Sequence, residues 1–124
     1  MMDYDILCYY LENKPAARRD MPFGADTLVF KVLNKMFALV AWQADPLTIS
    51  LKVDPVDAVI LRKQYSAIRP GYHLNKKHWN TVTLDGSVPD KELRAMIDDS
   101  YALVVAGMTR ADQARVRKLS KRGL

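Results

Sequence analysis

Apolar side chains recur along this chain with two different periods. Residues 3–13 and 90–108 place them at i, i+3 and i+4 spacing, which is typical of an amphipathic helix with one buried face. Residues 47–53 instead alternate apolar and polar side chains, which is typical of a strand with one buried and one solvated face. The pattern therefore predicts a helix near each end of the chain and strands between them.

A hairpin and a further helix are predicted in the middle of the chain. The segments LVFKVL (28–33) and MFALVAW (36–42) are rich in β-branched and aromatic residues, and Asn34–Lys35 lies between them. Asparagine tolerates the positive φ that a tight hairpin demands, so we expect the turn there. Residues 54–66 predict a helix, because Asp54 suits the N-cap and Pro55 suits the first helical position.

The segment WNTVTL (79–84) predicts another strand, with one unusual feature. Val82 and Leu84 share one face, whereas Trp79 and Thr81 share the other. If Val82 faces the core, Trp79 points away from it.

Taken in order, these elements are α-β-β-β-α-β-α with a terminal α. Strands grouped between helices predict an α+β fold, here a single antiparallel sheet of about four or five strands with helices packed on one face. No repeat or low-complexity linker divides the chain. We therefore expect one monomeric domain over residues 1–109, followed by a basic C-terminal helix or tail at 110–124.

Composition adds few constraints to this picture. With 49% hydrophobic and 27% charged residues, the chain has the make-up of an ordinary globular protein. Its single cysteine excludes an intramolecular disulfide. The acidic N-terminus differs from a signal peptide, and the apolar runs are far shorter than the ~20 residues that span a bilayer. We expect a cytoplasmic protein with no membrane partner.

The net charge of +5 is concentrated at the C-terminus. Residues 110–124 hold six bases and one acid, whereas the 109 residues before them hold 13 bases and 13 acids. Within the latter, residues 27–84 carry eight bases against three acids. A basic middle therefore lies between two acidic flanks, which bears on partners rather than on fold.

The segment GYHLNKKHWNTV (71–82) holds both histidines, but the residues do not predict a metal site. His73 and His78 are five positions apart, on opposite faces of an extended segment. The nearest acid is Asp85 and the only thiol is Cys8, whereas a structural zinc site needs about four suitably spaced ligands. We expect no metal and no other cofactor.

Catalytic motifs are equally scarce. The chain contains no GxSxG elbow, no glycine-rich phosphate loop and no HExxH motif. Asp98 and Asp99 flank Ser100, but Ser100 falls on the apolar stripe, so we expect solvated carboxylates beside a buried small residue. We expect no catalysis.

Binding is the remaining class of function, and the basic middle holds its candidates. Cations contact phosphates and aromatic side chains stack on bases, so a surface that combines them could hold nucleic acid. Alternatively, this is an ordinary solvated sheet face with Trp79 covered by the Pro22–Gly24 loop, and these residues alone leave both open. The candidate nucleic-acid-binding residues are Lys31, Lys35, Lys52, Asn75, Lys76, Lys77, His78 and Trp79.

Several segments resemble the MmcQ/YjbR family of small bacterial proteins. KPAARRDMPFG, VFKV, KMFAL, ISLKVDP, IRPGYHLNKKHWNTV, LDG and MIDDSYALV occur in the family's order and approximate spacing, over about residues 11–105. Two turns depart from the family pattern. Ala16 stands where a glycine often follows the proline, and Leu33–Asn34 stands where glycine often precedes the lysine.

The resemblance implies a fold similar to that of bacterial frataxin (CyaY) and a DNA-binding function through a "double wing" motif. A likeness in fold carries no iron chemistry with it, and the first helix has few acids for an iron-binding ridge. We therefore expect a binding module whose partner is DNA. The alternative is a domain that binds a small molecule or a protein.

Overall fold

The fold is α+β, as predicted, and its single sheet has six strands. A computed structural model describes residues 2–71 and 74–122, the last two of these by their backbone alone. The elements follow the order α1 (Tyr4–Glu12), β1 (Ala17–Asp20), β2 (Leu28–Val32), β3 (Lys35–Ala41), β4 (Thr48–Lys52), α2 (Pro55–Gln64), β5 (Ile68–Pro70), β6 (Trp79–Thr83), α3 (Asp90–Ala106) and α4 (Arg110–Arg122).

Neighbouring strands pair antiparallel in the order β1-β2-β3-β4-β6-β5. The two edge strands, β1 and β5, are additions to the predicted order. Residues 14–26 are rich in proline, glycine and charge, which predicts a loop. The structure instead places β1 within them, because its polar residues pair at the sheet edge without any apolar alternation. β5 has only three residues and ends at a proline, so its sequence carries little strand signal.

One face of the sheet holds the core. A row of paired, buried residues crosses five strands, and α1 and α3 add their apolar stripes to the same cluster. Asn80 on this face donates to the Ala58 carbonyl oxygen, which places α2 in the same layer (3.4 Å). Among the described helices, none makes an extensive contact with the opposite face, and none is long and apolar enough to cross a membrane. The row consists of Leu28, Val40, Ile49, Val82 and Ile68.

The hairpin between β2 and β3 is confirmed, but its positive φ is on a different residue. Leu33 has φ 53°, and β3 already begins at Lys35, so the turn consists of Leu33 and Asn34. A side chain in this left-handed region costs about 1–2 kcal/mol. Leu33 remains there because its side chain packs against the core cluster.

Ser100 of α3 is fully buried and links the helix to the sheet. Its hydroxyl donates to the Phe37 carbonyl oxygen (2.6 Å) and accepts from the Lys52 N–H (2.9 Å). The β3–β4 pairing ends one step earlier, at Ala38 and Leu51, beside the bulge that interrupts the β2–β3 register. The hydroxyl therefore replaces the hydrogen bond that the next rung of the ladder would make.

The basic C-terminal segment forms a helix, α4, that packs on the domain. Thr109 caps α4 by accepting the Asp112 N–H (3.1 Å). Val116 is buried in the core cluster, and the Gln113 amide donates to carbonyl oxygens at the end of α3, including that of Val105 (3.2 Å). Removing residues 110–124 would therefore expose part of the core.

Candidate functional site

The sheet face opposite the helices, here called the open face, brings together basic and aromatic side chains. Lys52 and Trp79 are direct partners on β4 and β6, and alternation places both on this face, as the sequence predicted for Trp79. One step along, Ser50 and Thr81 are paired and buried, at 8% and 2% exposure, with their hydroxyl oxygens 2.8 Å apart. The centre of the open face therefore consists of small side chains whose hydroxyl groups hydrogen-bond to each other. The larger side chains of this face lie around them.

Lys31 lies on the open face but is already paired. Its ammonium is 3.1 Å from a carboxylate oxygen of Asp20 on the neighbouring strand. The hydrogen bond from Lys31, together with the Met21 N–H, holds the pKa of the Asp20 carboxyl below its ordinary value. Lys52 differs, because no described carboxylate lies within ion-pair distance of it.

The loop before β6 holds four of the predicted residues, and its polar groups mainly shape the turn. The Asn75 side-chain oxygen accepts the Lys77 N–H (2.9 Å), and the Asn75 carbonyl accepts the His78 N–H (3.2 Å). The Lys76 ammonium donates back to the Gly71 carbonyl (3.2 Å). Lys77 is exposed, and its ammonium has no recorded partner among the described residues, so it is the freer of the two lysines.

Arg62 of α2 holds this loop against the sheet. Its Nε donates to the Asn80 side-chain oxygen (2.6 Å), and its Nη2 donates to the carbonyl oxygens of Lys76 and Trp79. No described acid pairs with Arg62, and its partners among the described residues are amide and carbonyl oxygens. Arg62 is thus a positioning residue for the backbone on either side of His78.

Gly71 lets the chain pass close to Trp79. The Gly71 N–H donates to the Trp79 carbonyl (2.9 Å), and a Cβ on Gly71 would lie 2.7 Å from the Trp79 Cβ. Such a separation is too short for any side chain, so the close approach requires glycine.

The structure brings most, but not all, of the predicted residues to one region. Lys31, Lys52 and Trp79 share the open face, and residues 75–78 border the same end of the sheet through the hydrogen bond from Val53 N–H to the His78 carbonyl (2.9 Å). Lys35 is paired with the core residue Val32, so alternation assigns it to the other face.

Two arginines on the open face are not among the residues that the sequence predicted. Arg18 pairs with Lys31 in register, and Arg69 pairs with Thr81 and donates to the Thr83 hydroxyl (2.9 Å). Both belong to the short edge strands, whose faces could not be assigned before the strands themselves were found. Their only sequence signal is that each lies within a quoted family segment, Arg18 in KPAARRDMPFG and Arg69 in IRPGYHLNKKHWNTV.

Trp79 is not covered by the Pro22–Gly24 loop, which was the alternative interpretation of this sheet face. The loop containing Pro22–Gly24 follows β1 and lies at the far end of the sheet, where the Trp42 indole N–H donates to the Ala25 carbonyl (2.7 Å). Phe23 is exposed, at 65%. Trp79 lies at the opposite end, next to Lys52, and does not pack under this loop.

A metal site finds no support in the described part of the chain. No group of three His, Cys, Asp or Glu side chains is close enough there to hold an ion. His73 lies outside the described residues, and Cys8 is buried, with burial raising the pKa of its thiol.

Asp98, which the sequence predicted to be a solvated carboxylate, is not simply solvated. It pairs with Lys14 and accepts a hydrogen bond from the Tyr10 hydroxyl (2.6 Å).

Comparison with known proteins places this chain among small bacterial relatives. The chain is 42% identical to the protein YbdF of Escherichia coli O157:H7 over 96 residues, which cover 77% of this chain and 79% of that protein. It is 39% identical to YjbR of Escherichia coli K12 over 99 residues, covering 80% and 84%.

Solved structures agree. DR2400 of Deinococcus radiodurans superposes with a TM-score of 0.85 at 46% identity, covering 90% of this chain and 86% of that one. A Pseudomonas syringae protein superposes with a TM-score of 0.72 at 32% identity, covering 83% and 99%. The YjbR family model matches residues 12–103. The chain therefore belongs to the YjbR family.

Proposed function

We propose that this protein binds DNA on the open face of its sheet, without catalysis. The observation that carries the proposal is the direct pairing of Lys52 with Trp79 on a sheet face that no described helix covers. A cation beside an aromatic ring can contact a phosphate while the ring stacks on the adjacent base. The resemblance to the MmcQ/YjbR family, which implies DNA binding, supports the same function.

Charge on this surface favours a polyanion. Arg18, Lys31, Lys52 and Arg69 occupy four different strands of the open face, and Asp20 is the acid in register with them. Lys77 adds a free cation at the end where Trp79 lies. Because stacking needs an accessible base, we expect single-stranded DNA to bind more tightly than a duplex of the same sequence.

Binding is measured by fluorescence anisotropy with labelled single-stranded and duplex DNA over a range of salt concentrations. Lys52→Ala should weaken binding about equally for all sequences and lower the slope of log K against log salt by about one unit. Trp79→Ala should leave that slope nearly unchanged and cost about 1–3 kcal/mol on the single strand. The two contributions are thus separable.

Lys35→Ala is the matched control. It removes the same charge from the same sheet, but from the face that carries the helices, so it should leave both affinity and salt slope close to wild type. If Lys35→Ala and Lys52→Ala weaken binding equally, the attraction is a general effect of net charge and the open face is not the site.

Asp20→Asn provides a test by gain of affinity. Removing this carboxylate releases Lys31 from its ion pair, so binding should tighten and the salt slope should increase by about one unit. Melting temperatures of all variants are measured in parallel. A Trp79→Ala protein that loses stability but binds DNA as wild type does would show that Trp79 serves the architecture, and the proposal would fail.

A further inference from the structure

A second surface, on the helix side, has the opposite character. α2 and α3 border a groove of about 550 Å³ above β4 and β6. That volume lies within the range of known ligand sites. The groove walls are apolar and include Ile60 and Leu61 from α2, and Met96 and Leu103 from α3.

α2 is unusually exposed for its composition. Ala58 is its only buried residue, whereas Val56, Ile60 and Val59 are 67%, 54% and 47% exposed. Full burial of a valine or isoleucine side chain stabilises a protein by about 1.5–3 kcal/mol, and this helix leaves most of that unrealised. Val56, Val59 and Ile60 lie at i, i+3 and i+4 spacing, so they form one exposed stripe, which meets the groove at Ile60. Contiguous exposed apolar surface of this kind marks an interaction site.

The rim of the groove is acidic. Asp57 of α2 and Glu92 and Asp99 of α3 line it, and none of the three has an ion-pair partner among the described residues. Asp54 also lines it, but its carboxylate caps α2 by accepting the Val56 N–H (3.0 Å). The one base of the described lining is Lys52, whose side chain belongs to the open face.

Charge and packing exclude the occupants that the chain itself could supply. A second copy docked groove to groove would bring Asp57 and Asp99 against the same acids, which is unfavourable. The basic helix α4 is not free to leave its own fold, because Val116 is buried in the core. The acids also repel DNA. The occupant must therefore be apolar on one side, cationic at its edges and long enough to cover a helical stripe.

We propose that the α2–α3 groove binds a basic amphipathic helix of a partner protein. Such a helix places apolar residues at i, i+3, i+4 and i+7 into a groove between helices, and its flanking lysines or arginines meet the rim acids. This proposal uses none of the side chains that carry the proposed DNA binding, so each can fail without the other.

The probe is a fluorescent peptide of about 18 residues with leucines at helical spacing and lysines elsewhere, a length at which a helix can form in isolation. A second peptide replaces every lysine with glutamate. The full chain should bind the lysine peptide and leave the glutamate peptide unbound. Asp99→Lys and Leu103→Glu both change exposed positions, and each should weaken binding about tenfold or more.

Asp26→Lys is the matched control, since it makes the same charge change at an exposed loop position outside the groove. It and Trp79→Ala should both leave peptide binding within about twofold of wild type. The proposal is overturned if Asp26→Lys weakens binding as much as Asp99→Lys, or if the glutamate peptide binds equally well. It is also overturned if the chain self-associates through the groove and thereby excludes the peptide, because the occupant would then be a second copy.

Discussion

Replacing Ser100 with alanine tests whether α3 closes the sheet through its hydroxyl. The substitution removes one donor and one acceptor, and it leaves the Phe37 carbonyl and the Lys52 N–H without the partner that joins them. Ser100 is fully buried, so water cannot replace the hydroxyl without opening the helix–sheet contact. The Phe37 carbonyl and the Lys52 N–H must then either stay without a hydrogen-bond partner or move together to bond directly.

The expected cost follows from the two orphaned groups. A buried polar group without a partner costs about 1–3 kcal/mol, so the pair together should destabilise the fold by about 2–4 kcal/mol after partial relaxation. For a chain of this length, that loss corresponds to a fall in melting temperature of about 8–15 °C. The lost methylene-sized volume is negligible by comparison.

Urea unfolding followed by tryptophan fluorescence measures the change, with an unaltered m-value as the sign that only stability has changed. Ser66→Ala is the control, because Ser66 is exposed and its hydroxyl has no recorded partner among the described residues. It should stay within about 0.5 kcal/mol of wild type. A cost below about 0.5 kcal/mol for Ser100→Ala would refute the reasoning, since it would mean that β3 and β4 make the missing rung directly.

Ala16 has φ 61°, so Ala16→Gly should relieve a left-handed conformation and raise stability by about 1 kcal/mol, whereas Ala17→Gly in the adjacent strand should lower it, both measured by urea unfolding. Asp98 gives a pH prediction. Burial favours a higher pKa for its carboxyl, but hydrogen bonds from Lys14 and Tyr10 outweigh burial and lower it. Its stabilisation is therefore present above about pH 4 and is lost on acidification, so Asp98→Asn should be most costly near pH 7 and converge on wild type near pH 2.

The parts of the fold that were predicted are those whose signals are local. The N-cap of α2 and the stripe of α3 each involve residues a few positions apart, and the structure confirms Asp54 as N-cap and Asp90–Ala106 as helix. The face of Trp79 also follows from neighbours, because period-two alternation fixes it once Val82 is inside. The likeness to bacterial frataxin and the monomeric state stay predictions.

The parts that were missed depend on contacts between distant segments. β1 and β5 become strands only by pairing with β2 and β6. The faces of Arg18 and Arg69 depend on that pairing, so the sequence does not assign either arginine to the open face. Lys31 and Lys35 lie on neighbouring strands or their turn, which predicts a shared surface, but the observed register places them on opposite faces. The groove between α2 and α3 likewise has no sequence motif, since its apolar walls and acidic rim come from segments that are far apart along the chain.

The short edge strands also affect the behaviour of the protein at high concentration. A sheet aggregates when a flat, unpaired outer strand offers its free N–H and C=O groups to another molecule. β5 is three residues long and ends in Pro70, which has no N–H to offer, while β1 carries the charged Arg18 and Arg19. Both borders of the sheet thus resist the addition of a further strand, and we expect the protein to withstand amyloid-like growth even though no described helix makes an extensive contact with one face of its sheet.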